Sequence, residues 1–198
     1  MSGASRYLVV FARAPRFGVG KRRLAADIGR KAAYRFYRRN LFETLDRLSQ
    51  GPWRLIVAVS HFREARFFPG REVQVQASGD LGRRMATAFR DLPPGPAIII
   101  GSDIPDIGVD DITAAFRTLG RADAVFGPAE DGGYWLAGLA RRRPVPYGFM
   151  TGVRWSGPHA LADTIASLPP GHSHGLVSTK ADVDDGAGYE RFRRGRVR

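Results

Sequence analysis

The stretch "RYLVVFARA" reads as a strand that is apolar on both faces. Such a strand cannot face water on either side, so both sides of its sheet must be covered. Further strands are expected at "WRLIVAVS", at the short "REVQVQAS", and at "PAIIIGSDIPDI", the most buried-looking of them, which ends in acidic residues. Helical stretches lie between. "KRRLAADIGRKAAYRFYRRNLFETLDRLSQG" has Leu41, Leu45 and Leu48 at helical spacing and a break near Gly29. "DLGRRMATAFRDL" has Asp80 placed to cap it, and "DDITAAFRTLG" has Gly120 as its stop. "ADAVFGPAEDGGYWLAGLA" reads as strand, glycine loop, strand. "SGPHALADTIASL" is a last helix before the short strand "HGLVST". Alternating strands and helices predict a three-layer α/β/α sandwich around a mainly parallel, doubly wound sheet.

A chain of 198 residues suits one domain, and no repeat or linker divides it. The expected organisation is one domain over residues 1–190 and a mobile basic tail over 191–198, "RFRRGRVR". A chain this long buries roughly 70% of its unfolded surface, so its core needs no staples. Cysteine is absent, which excludes disulfides, zinc–thiolate sites and cysteine nucleophiles. No apolar run approaches the ~20 residues of a membrane span, and the first residues do not resemble a signal peptide. The expected location is the cytoplasm, with no membrane partner. The net charge of +12 points to polyanions, either nucleic acid or phosphorylated small molecules. All but Lys21, Lys31 and Lys180 of the 31 basic residues are Arg, which reads in part as codon bias in a GC-rich genome. Much of the charge is then a solvated surface, with the phosphate-facing share in the loops.

In doubly wound sheets, ligands bind where loops leave the carboxyl ends of the strands. Four such loops carry chemistry here, residues 12–23, 101–107, 127–134 and 180–185, and they are expected to converge on one crevice. The first is not a Walker A loop, because Pro15 and Arg22 stand where Gly and Ser or Thr belong. Nor is it a dinucleotide fingerprint, since Arg23 replaces the third glycine. Gly18 and Gly20 nevertheless let backbone amides approach a ligand, and Lys21 and Arg23 stand at a helix start that favours an anion. A solvated basic turn is the alternative. In the second loop a buried strand delivers Asp103 and Asp106, and a carboxylate there is costly unless paired or metal-bound. Mg²⁺ takes carboxylate and phosphate oxygens together. The alternative is a turn cap at Asp103 and a solvated Asp106. In the third, Gly132 and Gly133 permit close approach beside Glu130 and Asp131, with Tyr134 and Trp135 placed to line a pocket; a plain acidic turn is the alternative. In the fourth, Asp182 and Asp184 share one face of an extended segment, which suits either a metal or an acidic surface loop. The four histidines offer no ligand set.

Six motifs in order carry a family resemblance over nearly the whole chain: "FARAPRFGVGKRRL", "GDLGRRM", "GSDIP", "GPAEDGGY", "WS" at Trp155–Ser156, and "DVD" at Asp182–Asp184. The chain resembles the small GT-A-like glycosyltransferases associated with radical-SAM or selenium-domain proteins, some of them linked to arsenosugar biosynthesis. It is similar at greater distance to phospholactate guanylyltransferase and other nucleotidyltransferases. The resemblance implies a fold of the nucleotide-diphospho-sugar transferase (GT-A) type. It implies that Lys21 and Arg23, with Arg13 in place of the family's first lysine, hold phosphates. It implies that Asp80, Gly82 and Arg84 lie near the nucleotide, that Asp103 binds Mg²⁺ or Mn²⁺, and that Asp182 or Asp184 completes the metal site. Asp131, with Glu130 beside it, is then the expected catalytic base, and Gly132, Gly133, Tyr134 and Trp155 face the transferred group and the acceptor. The chain departs from the pattern at Arg13, Phe17, Gly20 and Arg22, and over residues 185–189, where "DGAGY" replaces "T-P-x-D".

Both lines of reading lead to nucleotide-dependent group transfer. Glycosyl transfer from a nucleotide sugar to a small-molecule acceptor stands first. Nucleotidyl transfer from an NTP with release of pyrophosphate stands second. A non-enzymatic polyanion-binding module, resting on the +12 charge and the tail, stands third. Against it, and against nucleic acid as partner, the acidic loops would repel phosphates unless a metal intervened. The sequence sets no oligomeric state.

Overall fold

The computed structural model describes residues 5–195. Its elements follow one another as β1 (Tyr7–Phe11), α1 (Arg22–Ile28), α2 (Arg30–Leu48), β2 (Arg54–Val59), a 3-10 helix (Phe62–Phe67), β3 (Glu72–Val75), α3 (Leu81–Asp91), β4 (Ala97–Gly101), α4 (Val109–Leu119), β5 (Ala124–Pro128), β6 (Tyr134–Leu139), α5 (Ala160–Ala166), β7 (His174–Leu176) and α6 (Gly186–Gly195). The seven strands form one sheet in the order β3-β2-β1-β4-β6-β5-β7. β3, β2, β1 and β4 run parallel, and β7 is parallel to β5. β6 is inserted antiparallel between β4 and β5. The glycine loop after β5 thus turns the chain back on itself as a hairpin, the sole reversal in a doubly wound plan.

The apolar runs on both sheet faces dictate the layering. Leu8 and Val10 of β1, Val57 and Val59 of β2 and Ile98 and Ile100 of β4 point to the side covered by α2 and α4, where they meet Leu41, Leu45, Ile112 and Phe116. Tyr7, Val9, Ile56 and Ile99 point to the other side, against Met85 and Phe89 of α3, Phe149 and Met150. Successive residues of one strand serve opposite cores, the period-two rule of the pleat. α1 and α2 are separated by Gly29, whose φ of 85° breaks the helix at the expected place. Asp80 caps α3 as the sequence implies, accepting from the Arg83 amide at 2.8 Å.

One expectation needs correction. Residues 191–195 are not a tail apart from the fold. They continue α6, which lies against α1, and Tyr189 and Phe192 pack edge-on against Phe36 of α2. The remaining tail residues, 196–198, lie outside the described residues. Gly120 ends α4 as the sequence implies, with φ of −63°. No helix among the described residues is long and apolar enough to cross a membrane.

The inserted strand depends on a missing side chain. Gly138 pairs with Ile98 of β4 on one side and Val125 of β5 on the other. A Cβ there would stand 2.7 Å from Val125 Cγ1 and 3.0 Å from Ile98 Cγ1. Gly138→Val is therefore expected to cost about 1–3 kcal/mol, as overpacking of a close-packed core does. Urea denaturation measures it, and an unchanged midpoint would contradict this packing.

Candidate functional site

A cleft of about 760 Å³ opens at the carboxyl ends of β1, β2, β3 and β4. Arg13, Gly20, Lys21 and Arg23 line it from the opening loop, Asp80 and Arg84 from the start of α3, Asp103 from the end of β4, Trp155 from the loop before α5, and Asp184 from the last loop. Parallel strands deliver these residues together because each strand ends at the same rim.

Lys21 is the centre of the arrangement. Its Nζ lies 2.8 Å from Asp103 Oδ1 and 2.7 Å from Asp184 Oδ1, and it donates to the Val183 carbonyl at 2.8 Å. Arg23 reaches the second oxygen of Asp184 at 2.8 Å. The Lys21 side chain is 8% exposed, whereas that of Asp103 is 52% exposed and that of Asp184 34%. Burial alone would lower the Lys21 pKa, but Asp103 and Asp184 outweigh it and hold it above the ordinary lysine value. Burial pushes Asp184 up, and Lys21 and Arg23 together bring it below the usual carboxylate range. Burial and the neighbouring charge of Asp184 raise Asp182, with Asp131 and Asp103 adding to the same field. Lys21 draws Asp182 down as well, but less than its other surroundings push it up.

Two further residues tie the loops. Tyr37 of α2 accepts from the Arg13 amide at 3.2 Å and donates to the Arg13 carbonyl at 2.8 Å, with Ser102 Oγ 3.4 Å away. This fixes the opening loop to the end of β4. Lys180 does the same on the other side. Its ammonium lies 3.0 Å from Asp111 Oδ2 and 3.9 Å from Asp106 Oδ2, over the face of Trp135. Its backbone pairs with the β5–β6 hairpin, the Lys180 amide donating to Pro128 and the Glu130 amide donating to Lys180. Asp106 itself stays solvated, 65% exposed, with Lys180 at the edge of its reach.

Several expected residues lie elsewhere. Gly18 is not in this cleft; it faces a neighbouring hollow of about 390 Å³, against the Arg30 guanidinium. Gly82 is a packing position: a Cβ there would stand 2.2 Å from the Met150 carbonyl and 2.8 Å from the Trp155 ring. Tyr134 does not line the cleft. Its ring packs between Phe126 and Trp155, its hydroxyl accepts from Thr164, and burial raises its pKa. Trp135 is buried, its indole N–H donating to the Ser178 carbonyl. Glu130 and Asp131 are exposed at the hairpin tip, where Asp131 Oδ1 accepts from the Gly133 amide at 2.9 Å. Gly132 abuts Pro158. The cleft also has a wall that the four loops leave out. Ser60 after β2 and Gln76 after β3 line it, and Gln76 joins them, donating to the Ala58 carbonyl at 2.7 Å and accepting from Arg84 at 3.0 Å. The carboxyl-end rule that singled out the other loops applies equally to β2 and β3.

Among the described residues, no group of three or more His, Asp or Glu stands close enough to hold a metal by itself. The donor chemistry still fits a Mg²⁺- or Mn²⁺-like ion that takes one or two carboxylates and completes its shell from phosphate and water. Asp103 and Asp184 already surround a cationic nitrogen.

The fold belongs to the nucleotide-diphospho-sugar transferase class. A crystal structure described as that of a candidate nucleotide-diphospho-sugar transferase from Desulfovibrio desulfuricans G20 matches with a TM-score of 0.86 at 24% identity, over 97% of this chain and 87% of that one. CMP:2-keto-3-deoxy-manno-octonic acid synthetase in complex with CTP matches with a TM-score of 0.62 at 12% identity, over 98% and 99% of the two chains. Rv0371c from Mycobacterium tuberculosis H37Rv, in complex with manganese, matches with a TM-score of 0.58 at 16% identity, over 96% and 98%. By sequence, residues 41–157 match DUF2064, described as an uncharacterized protein conserved in bacteria, and the chain belongs to that family. No curated protein matches it.

The two acidic residues of the last loop should respond oppositely to substitution. The folded pKa of Asp184 is depressed, so its charge stabilises the fold at neutral pH, and this contribution is lost as pH falls below ~4. Asp184→Asn is expected to cost about 1–3 kcal/mol at pH 7, as when a charged donor loses its acceptor, and little near pH 3. The folded pKa of Asp182 is raised, so its ionised form costs stability at neutral pH. Asp182→Asn should raise the Tm at pH 7, and the gain should shrink as pH falls to ~4. Thermal melts at pH 7 and pH 3–4 measure both.

Proposed function

We propose that this protein is a divalent-metal-dependent glycosyltransferase that uses a nucleotide-sugar donor. The carrying observation is the meeting of Lys21, Arg23, Asp103 and Asp184 in one cleft that Arg13, Asp80 and Arg84 also line. Its volume of about 760 Å³ suits a nucleotide. The manganese complex of one structural relative and the CTP complex of another are in keeping with this reading.

In this reading Arg13, Lys21 and Arg23 hold the diphosphate with charge-assisted hydrogen bonds. Asp80 and Arg84 flank the nucleoside, with Gln76 fixing the direction of the Arg84 guanidinium. Gly82 contributes indirectly, by letting α3 lie close to Met150 and Trp155. Asp103 and Asp184, with Asp182 adjacent, would hold Mg²⁺ or Mn²⁺. When bound, the metal supplies positive charge that offsets the charge building on the leaving diphosphate. Asp131 takes the proton of the acceptor hydroxyl. One of its oxygens is fixed by the Gly133 amide and the other is left for the acceptor. Glu130, the neighbouring exposed carboxylate at the same hairpin tip, is next in line.

Nucleotidyl transfer is the second reading, favoured by the likeness to a synthetase complexed with CTP. The two differ in which bond faces the acceptor, and so in product. Turnover with a panel of nucleotide sugars, NTPs and acceptors in Mn²⁺ should release nucleoside diphosphate; pyrophosphate would establish the second reading instead. Calorimetry adds the binding test. Arg23→Ala should weaken nucleoside diphosphate binding by about 1.5–3 kcal/mol, and Asp103→Asn should weaken it in Mn²⁺ far more than in EDTA. Asp131→Asn should keep donor affinity within a few-fold while transfer falls at least ~100-fold. Binding equally tight with and without metal would contradict the proposal.

A further inference from the structure

Lys21 occupies the place in the cleft where the metal is expected. Three oxygens surround its Nζ: Asp103 Oδ1 at 2.8 Å, Asp184 Oδ1 at 2.7 Å and the Val183 carbonyl at 2.8 Å. These are the oxygen types that a hard divalent cation uses. The backbone is committed to this placement. Lys21 has φ of 46°, in the left-handed region that a lysine seldom adopts, directly before α1. A strained residue persists where its surroundings over-determine it, and here three contacts from two distant loops do so. Gly20, which precedes it, and Tyr37, which ties down the loop at Arg13, also border this part of the cleft.

A pair of carboxylates that already has a counter-ion is a poor site for a second cation. A divalent ion arriving alone would have to displace the ammonium or sit against it, and like charges at contact repel strongly in a partly buried site. An incoming diphosphate changes that balance, because it offers Lys21 another anion within the same cleft. We propose that Lys21 is an internal counter-ion that keeps free divalent metal off Asp103 and Asp184 and yields the place only when a phosphate-bearing ligand draws its ammonium away. Metal and nucleotide then enter together, and each raises the affinity of the other by the same factor. The site discriminates against the bare metal ion and for the metal–nucleotide pair. This inference rests on the transferase reading above for the identity of the ligands, and on the Lys21 geometry alone for the exclusion of metal.

The test is a Mn²⁺ titration followed by the electron paramagnetic resonance of free Mn²⁺, first with no nucleotide present. Lys21→Met is expected to bind Mn²⁺ at least ~10-fold more tightly than wild type, since a competing positive charge has been removed. Lys31→Met removes the same charge from an exposed position on α2 and should leave Mn²⁺ affinity unchanged. The titration is then repeated with UDP, GDP, CDP and ADP, and at least one should tighten Mn²⁺ binding to wild type by ~10-fold or more. Tight Mn²⁺ binding by wild type alone, equal to that with every nucleotide, overturns the inference whether or not the Lys21 variant folds. So does a folded Lys21→Met that binds Mn²⁺ no better than wild type. If the variant gains affinity while no nucleotide affects either protein, the counter-ion stands and the transferase reading falls. If metal and nucleotide bind together while the variant gains nothing, the transferase reading stands and the counter-ion falls.

Discussion

One ammonium group joins three distant parts of the chain. Lys21 draws Asp103 at the end of β4 and Asp184 in the last loop to within hydrogen-bonding distance of each other's partner. Removing one member of a buried ionic group typically costs about 3–5 kcal/mol, because the remainder is left unpaired. Here both carboxylates keep contact with water, so the cost is smaller, but the geometric consequence is not. Without this contact the opening loop would keep Tyr37, the Arg16–Glu64 ion pair and the exposed Arg23–Asp184 pair, and the Asp182–Asp184 segment its β-bridge near Ala129, the Val183 amide bonded to Asp103 and the Gly186 amide bonded to Asp27. Lys180 repeats the device on the far side with Asp106 and Asp111. The chain has three lysines, and two of them stand at the junctions of its functional loops.

Most of the architecture was legible because the physics that sets it is local. Strands apolar on both faces require two covering layers, and alternation with helices requires crossovers, so the three-layer sandwich follows from the pattern. The place of β6 does not. "GPAEDGGYW" announces a turn, but whether the returning strand joins the sheet at its edge or in its interior is decided by Gly138, whose bare α-carbon fits between Ile98 and Val125. α6 was hidden for a different reason. Its second half falls in "RFRRGRVR", an arginine-rich run that reads as a tail, yet Tyr189 and Phe192 find Phe36 on α2. Tertiary packing supplies what local propensity lacks.

The candidate site divides along the same line. Lys21, Arg23, Asp103, Asp184 and Arg13 drew notice in the sequence because charge at the carboxyl end of a buried strand is costly unless paired or bound, and the structure brings them to one cleft. Ser60 and Gln76 escaped because neutral amides and hydroxyls carry no such signal, although the rule that strand ends carry ligands covers them. Tyr134 shows the converse: an aromatic ring beside a glycine loop looks like a pocket wall, but alternation along β6 turns it into the core against Phe126. The counter-ion role of Lys21 could not be read from sequence at all. A lysine after a glycine-rich loop suggests a phosphate, and only the geometry reveals that it already holds two carboxylates.

The central claim is that metal and nucleotide share the cleft above β1 and β4. Amide spectra of ¹⁵N-labelled protein, recorded with Mn²⁺ and a nucleoside diphosphate, test it most directly, because the paramagnetic ion erases signals near it. The account predicts loss of the signals of residues 101–104 and 182–185 only when both are present, with those of Arg35, Arg39 and Arg193, which line a second groove between α2 and α6, retained. Loss centred on that second groove, or loss at the aspartates from Mn²⁺ alone with no further effect of nucleotide, would contradict it.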